Sequence, residues 1–195
     1  MVYLISGKAR HGKDTFAGFM KDYYESIGKK ACIMHISNYI KHFAIDYFGW
    51  DGKEETKPRT LLQELGTDVI RVKMGKELFF INRLLEDMEV LENFYDVFIV
   101  SDVRLPIEFE EISKHHDTVN IHINRINYES VLSTKEQKHI TETALDNYDH
   151  YDYRITNDTL DKLKEDAVKL VKEVEKYEKI HSYGNKKNVA FFLWK

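Results

Sequence analysis

Residues Gly7 to Thr15 read GKARHGKDT and stand between a short apolar run, Val2 to Ile5, and a helical pattern that starts at Asp14. No other feature limits the fold as strongly. G-x-x-x-x-G-K between a strand and a helix is the spacing of a loop that wraps a phosphate. Small residues let backbone N–H groups turn inward, the helix N-terminus adds positive potential, and Lys13 reaches toward phosphate oxygens. One position departs from the general pattern: Asp14 stands where Ser or Thr usually binds Mg²⁺, and Thr15 follows one place later.

The rest of the chain alternates in the way such a loop requires. Lys29 to Ile36 reads as a second strand, Asn38 to Phe48 as an aromatic-rich helix and Gly49 to Pro58 as a polar loop. Helical stretches follow around Arg59 to Arg71, where Gly66 interrupts the pattern, and around Lys76 to Asn93. Asp96 to Ser101 is a continuous apolar strand, and Pro106 opens another helix. Thr118 to Ile123 alternates as a strand, and Tyr153 to Thr156 is a weaker one, with Asn157 or Asp158 placed to cap the last helix. In that helix Leu160, Leu163, Ala167, Leu170, Val171, Val174 and Tyr177 form one apolar stripe. Five strands alternating with helices imply a parallel sheet covered on both faces, with ligands at the carboxyl ends of its strands. Asn127 to Asp149 is polar and without period, which suits a mobile flap. The apolar end, Val189 to Trp194, is expected to pack, and a second subunit in a homodimer is one surface that would receive it.

Composition narrows the function. With 195 residues, 43% of them hydrophobic and 32% charged, the chain is one globular domain. A net charge of −4 and the lack of a long basic run argue against a nucleic-acid duplex as main partner. The single cysteine, Cys32, excludes an internal disulfide and a Cys-based zinc site, and its apolar neighbours predict a core position. No signal peptide or long apolar span is visible, so a cytoplasmic protein with no membrane partner is expected.

Two further segments carry chemistry. In FIVSDVRLP an apolar strand ends in Ser101-Asp102 and Arg104 follows where the chain leaves the sheet. A carboxylate there faces Mg²⁺ and its waters in a phosphate-loop fold, and an arginine beside it neutralises or grips phosphate. In KPRTLLQELGTDVIR, Leu61, Leu62 and Leu65 supply a buried side. Arg59, Gln63 and Arg71 remain for a polar pocket, with Gln63 able to donate to and accept from a base edge.

Together these segments resemble the deoxynucleoside monophosphate kinases of bacteriophages and related bacterial proteins, a branch of the phosphate-loop nucleotide kinases. The resemblance lies in G-x-x-x-x-GKDT, in Lys41 ahead of FGWDGK, in R-x-L-L-Q-x-L-G-T-D-x-x-R and in SDVR. It continues in HITETALD (His139 to Asp146) and in RITND, so it spans roughly Val2 to Val174.

The resemblance implies a three-layer phosphate-loop NTPase fold with a helical acceptor-binding insertion over residues 38–93 and a lid-like segment over 126–150. It implies transfer of the ATP γ-phosphate to a deoxynucleoside monophosphate. Gly7, Lys8, Ala9, Arg10, His11, Gly12, Lys13, Asp14 and Thr15 would hold the ATP phosphates. Asp14, Thr15 and Asp102 would place Mg²⁺, through waters, while Lys41, Arg59, Gln63, Arg71 and Arg104 would line the monophosphate site. Lys13, Asp102, Arg104 and Arg125 would be the catalytic set. The lid departs from the family pattern: it offers Lys135, Lys138 and His139 but no arginine between Ile126 and Tyr153, leaving Arg125 and Arg154 as the nearby guanidinium groups. The acceptor is an ionised phosphate oxygen, so neither Asp102 nor His11 is assigned as a general base; His11 could donate to a phosphate or face solvent. A kinase for another small acceptor, of the phosphomevalonate or dephospho-coenzyme A type, and a catalytically weak nucleotide-binding protein are the competing readings.

Overall fold

The protein is described by a computed structural model over residues 1–182. In chain order its elements are β1 (Val2–Ser6), α1 (Lys13–Ser26), β2 (Ala31–Met34), α2 (Asn38–Phe48), α3 (Arg59–Gln63), α4 (Phe79–Leu91), β3 (Val97–Val103) and α5 (Pro106–His115). They continue with β4 (Thr118–Arg125), α6 (Thr134–Gln137), α7 (Ile140–Thr143), β5 (Tyr153–Asn157) and α8 (Leu160–Ser182). The apolar end from Val189 to Trp194 lies outside the described residues, and so does the packing expected of it.

The strands form one sheet in the order β2-β3-β1-β4-β5, and every pairing is parallel. β1 is central and fully buried on both faces, which is why it reads as an unbroken apolar run. Tyr3 and Ile5 pack under α1 and α8, against Phe16, Met20, Leu163 and Leu170. Val2 and Leu4 face the opposite layer, against Phe80, Leu84, Phe109 and Ile112 of α4 and α5. This three-layer α/β arrangement is the phosphate-loop fold that the sequence pointed to. The predicted stripe of α8 is buried from Leu163 to Val174, whereas Tyr177 is half-buried and Leu160 is exposed. Cys32 on β2 is half-buried, a less interior position than expected. No helix among the described residues is long and apolar enough to cross a membrane.

Strand order places the site. The chain leaves β3 on one side of β1 and reaches β4 on the other, so a crevice opens at the carboxyl end of β1 where the direction of winding reverses. The loop that joins β1 to α1 fills that point. Gly7 starts it with φ at 144°, and a Cβ there would stand 2.4 Å from the Ile123 carbonyl oxygen of β4. A side chain can satisfy neither the backbone angle nor the space, so glycine is the residue that lets the loop lie on β4.

Three local expectations change. Gly66 does not interrupt its helix: α3 continues through it as a π-helical segment, Glu64–Lys73. A Cβ at Gly66 would meet Ile40 Cδ1 at 2.6 Å, so close packing on α2 outweighs the weak helix propensity of glycine. The cap of α8 is Thr159, whose hydroxyl accepts from the Lys162 N–H at 3.3 Å, and Asn157 is used elsewhere. Finally, the segment from Asn127 to Asp149 contains α6 and α7 and is docked on the body, with Leu132 buried and Leu145 and Tyr148 against the α4–α5 layer.

The close approach at Gly7 yields a stability prediction. Gly7→Ala is expected to lose about 1–3 kcal/mol, the cost of one strained backbone position, read as a lower midpoint in chemical denaturation. An unchanged midpoint would contradict this account of the loop.

Candidate active site

Beyond Gly7, the loop is held by the ends of β4 and β5. Asn157 donates through Nδ2 to the His11 carbonyl at 3.0 Å and stands 2.5 Å from where a Cβ of Gly12 would be, a residue with φ at 94°. The Arg125 N–H donates to His11 Nδ1 at 3.2 Å, and Arg125 Nη1 donates to the Arg10 carbonyl at 3.3 Å. Burial and the neighbouring Lys13 push the His11 pKa down. With Nδ1 accepting a hydrogen bond and the ring edge-on to Tyr128, His11 is therefore an anchor of the loop. That is neither of the two roles the sequence allowed.

Lys13 opens α1 beneath the loop and is only 7% exposed. Its Nζ donates to the Lys8 carbonyl at 2.9 Å. Burial, with Arg104 nearby, lowers its pKa to about 7. A lysine in this state gains from an anion that arrives beside it.

Two cavities meet at this lysine. One, of about 290 Å³, lies between the loop, the ends of β2 and β3, the α3–π helix and the docked segment. The other, of about 340 Å³, lies between the loop, the ends of β4 and β5 and the start of α8. Arg10, Lys13 and Asp14 line both. The first also takes in Ala9, Asp102 and Arg104 from the sheet side, and Lys41, Arg59, Gln63 and Arg71 from the helical side. The second takes in Gly12, Thr15 and Arg125. Gly7, Lys8 and His11 line neither, and Arg154 lies over the Tyr151 ring instead.

The acidic groups at the junction are ordered by hydrogen bonds. Asp14 Oδ1 accepts from Ser101 Oγ at 2.6 Å and contacts His35 Nε2 at 3.1 Å. The His35 and Ser101 bonds hold its carboxyl well below the usual range. Asp102 accepts the N–H groups of Ile36 and Ser37 at 2.8 and 3.0 Å and thereby seats the turn from β2 into α2. Among the described residues no three His, Cys, Asp or Glu side chains converge as a metal cage. This donor set, one exposed carboxylate with hydroxyls nearby, fits a hydrated Mg²⁺ that takes its other ligands from water and phosphate.

Arg59, Arg71 and Arg104 are each paired with a carboxylate. Arg71 Nη2 contacts Glu108 Oε1 at 2.7 Å, with the side chains 8% and 2% exposed, and its guanidinium lies 5.2 Å over the Phe80 ring. Burial pushes the Glu108 carboxyl up while Arg71 opposes it, and the N–H groups of Arg104 and Leu105 donate to Glu108 Oε2 at 2.6 and 3.0 Å. Arg104 Nη1 meets Glu142 Oε1 of α7 at 2.7 Å, and Glu142 Oε2 accepts the Ala9 N–H of the loop at 3.2 Å. Arg59 meets Glu54 at 2.5 Å.

The docked segment thus contributes a carboxylate and the buried Leu132 to the first cavity. Lys135 and Lys138, read as its cations, are exposed and line neither cavity, because α6 turns them to solvent. Sequence reasoning assigned no site role to Glu142 or Asn157, although both lie in the quoted strings HITETALD and RITND, and did not single out Glu108. Only Glu108 carried a local signal: glutamate three residues after the cap, behind a first-turn proline, is the spacing of a capping box.

A family profile described as deoxynucleotide monophosphate kinase matches residues 26–167, well over half of the chain. The match takes in the helical wall, SDVR and the docked segment, and begins after the phosphate loop. No curated protein matches the chain.

The Arg71–Glu108 pair gives a second prediction. Glu108→Ala leaves a buried guanidinium without its carboxylate and frees two backbone N–H groups, so a loss of about 3–5 kcal/mol is expected in denaturant titration. A loss below about 1 kcal/mol would show that the site tolerates a bare arginine.

Proposed function

This chain belongs to the deoxynucleotide monophosphate kinase family, and from that premise we propose that it transfers the γ-phosphate of ATP to the 5′-phosphate of a deoxynucleoside monophosphate, forming the diphosphate. The observation that carries the reading is the pair of cavities that share Arg10, Lys13 and Asp14 at the mouth of the phosphate loop. Two polyanions entering from opposite sides would bring donor and acceptor phosphates together at one lysine, as an in-line displacement requires.

In this reading ATP enters on the β4–β5 side, past Arg125, and the monophosphate enters on the helical side. The acceptor oxygen is already ionised near neutral pH, so no general base is needed, and no carboxylate here is placed as one. Lys13 leaves the Lys8 carbonyl for the transferring phosphoryl group, and Arg104 leaves Glu142 to share it. Mg²⁺ held beside Asp14, Thr15 and Asp102 would neutralise phosphate charge when bound. The docked segment covers the acceptor side and excludes water that would otherwise take the phosphoryl group. Catalysis is then positioning and electrostatic stabilisation.

The direct test is ADP formation from ATP against a panel of deoxynucleoside and ribonucleoside monophosphates; ADP formation that no monophosphate stimulates would sink the reading. Lys13→Ala is expected to lower kcat at least about a hundredfold, roughly 3 kcal/mol of transition-state stabilisation, while the protein stays folded.

Lys13 also sets a pH dependence. Its pKa is lowered from 10.5 to about 7, so between those values the unfolded chain holds the proton and the folded one releases it. The cost of burying this lysine is thus felt at low pH, and stability from this group rises as pH climbs through that window. A bound polyphosphate reverses the shift. Calorimetric titration of ATP at pH 8 in buffers of different ionisation heat should show proton uptake in the wild type and less in Lys13→Met. Equal uptake in both would assign the proton to another group.

A further inference from the structure

Most of the cations around the phosphate loop are already matched. Lys57 and Arg59 meet Glu54, Arg71 meets Glu108 and Arg104 meets Glu142. Arg125 gives a guanidinium N–H to the Arg10 carbonyl and lies 4.7 Å over the Tyr128 ring. Arg10 differs. Its side chain is exposed, and among the described residues its guanidinium makes no ion pair, hydrogen bond or ring contact. It is also the one arginine that lines both cavities. Its charge is felt on the helical side: burial raises the Glu54 carboxyl, but Lys57, then Arg59 and Arg10, hold it below its ordinary value. Glu54 lines the first cavity, so the guanidinium of Arg10, and not its backbone alone, bears on that space.

The backbone at Arg10 is left-handed, with φ at 60°, a region that glycine and asparagine enter at little cost and arginine does not. The turn is held from both sides. Glu142 accepts the Ala9 N–H before it at 3.2 Å, and Arg125 Nη1 donates to the Arg10 carbonyl at 3.3 Å. Glycine would serve a loop that needed only this turn. A strained arginine kept in place by its neighbours points to a use for its side chain.

Resting on the kinase reading above, we propose that Arg10 is a catalytic residue whose guanidinium spans the two cavities and neutralises the phosphoryl group as it passes from ATP to the acceptor oxygen. The bond from phosphorus to the leaving oxygen of ADP breaks while the bond to the acceptor oxygen forms, and Arg10 gives up no proton. Negative charge spreads over the equatorial oxygens, and a planar guanidinium can donate to two of them at once. Arg104 must leave Glu142 to do this, whereas Arg10 leaves only water. The docked segment has no arginine between Ile126 and Tyr153, so the loop itself supplies this cation.

The test compares wild type with Arg10→Gly and Arg10→Lys. Glycine accepts the left-handed backbone, so Arg10→Gly should fold and keep its denaturation midpoint. Its kcat should fall at least about a hundredfold. KM for ATP and for the monophosphate should each change less than about threefold, as for a contact made only in the transition state. Arg10→Lys, which keeps the charge without the fork, should recover part of kcat. Binding gives a second readout. Fluoroaluminate mimics the flat transferring group, so with ADP, Mg²⁺ and a monophosphate it should raise the melting temperature of wild type but not of Arg10→Gly. In Arg10→Gly, a kcat within about threefold of wild type, or a loss confined to KM for ATP, would overturn the proposal. So would a fluoroaluminate shift that survives in that variant. Monophosphates that fail to stimulate ADP formation by the wild type would instead overturn the kinase reading, and the role of Arg10 with it.

Discussion

Glu108 is the buried carboxylate on which the geometry of the helical side of the first cavity depends. It lies at the start of α5, yet it receives the guanidinium of Arg71 from the π-helical wall and the backbone N–H groups of Arg104 and Leu105 from the exit of β3. The helical wall, 37 positions away in sequence, is thereby held against the turn from β3 into α5. A carboxylate this deep is costly to ionise unless every oxygen is satisfied, and here a cation and two backbone donors satisfy it. The result is that two arginine-bearing segments are placed before any ligand arrives. Such preorganisation lowers the cost of ordering the site at the moment of reaction.

The same logic runs through the rest of the site, where cations meet internal carboxylates: Arg59 with Glu54, Arg104 with Glu142 and Lys8 with Asp146. Clustered guanidinium groups would repel one another without them. In the proposed reaction an incoming phosphate would exchange one anionic partner for another, so its binding energy would be the difference between two ion pairs and not the full strength of one. Because Glu142 and Asp146 belong to the docked segment, the exchange also bears on how that segment sits. Electrostatics at the loop and the position of the segment are one problem.

What the sequence made legible was local. Asn38–Phe48 was read with its observed bounds because its apolar spacing and the flanking Gly49 are signals within a few residues. The five strands follow from apolar runs, and the phosphate loop follows from glycine spacing. Contacts made across the fold were hidden: Ala9 and Glu142 are 133 positions apart, and no period links them. Gly66 was misread as a break because propensity is a weak prior beside tight packing on Ile40. Arg59, Gln63 and Arg71 are assigned to one polar pocket by residue type, although Arg59 and Arg71 are too far apart to be neighbours on one helical turn. The π winding that puts them on one wall has no signature in spacing alone.

Lys13 shows why a site of this kind is left incomplete without its substrates. Burial lowers its pKa to about 7, and in the empty protein it turns to the carbonyl of Lys8. A fully solvated lysine would stay charged but would be screened by water, and its attraction for a transferring phosphate would be weak. A buried one is expensive to charge alone and strong once an anion is beside it. In the proposed reaction the polyphosphate would therefore complete the charge that acts on it, because the low dielectric favours a charged Lys13 once an anion stands beside it.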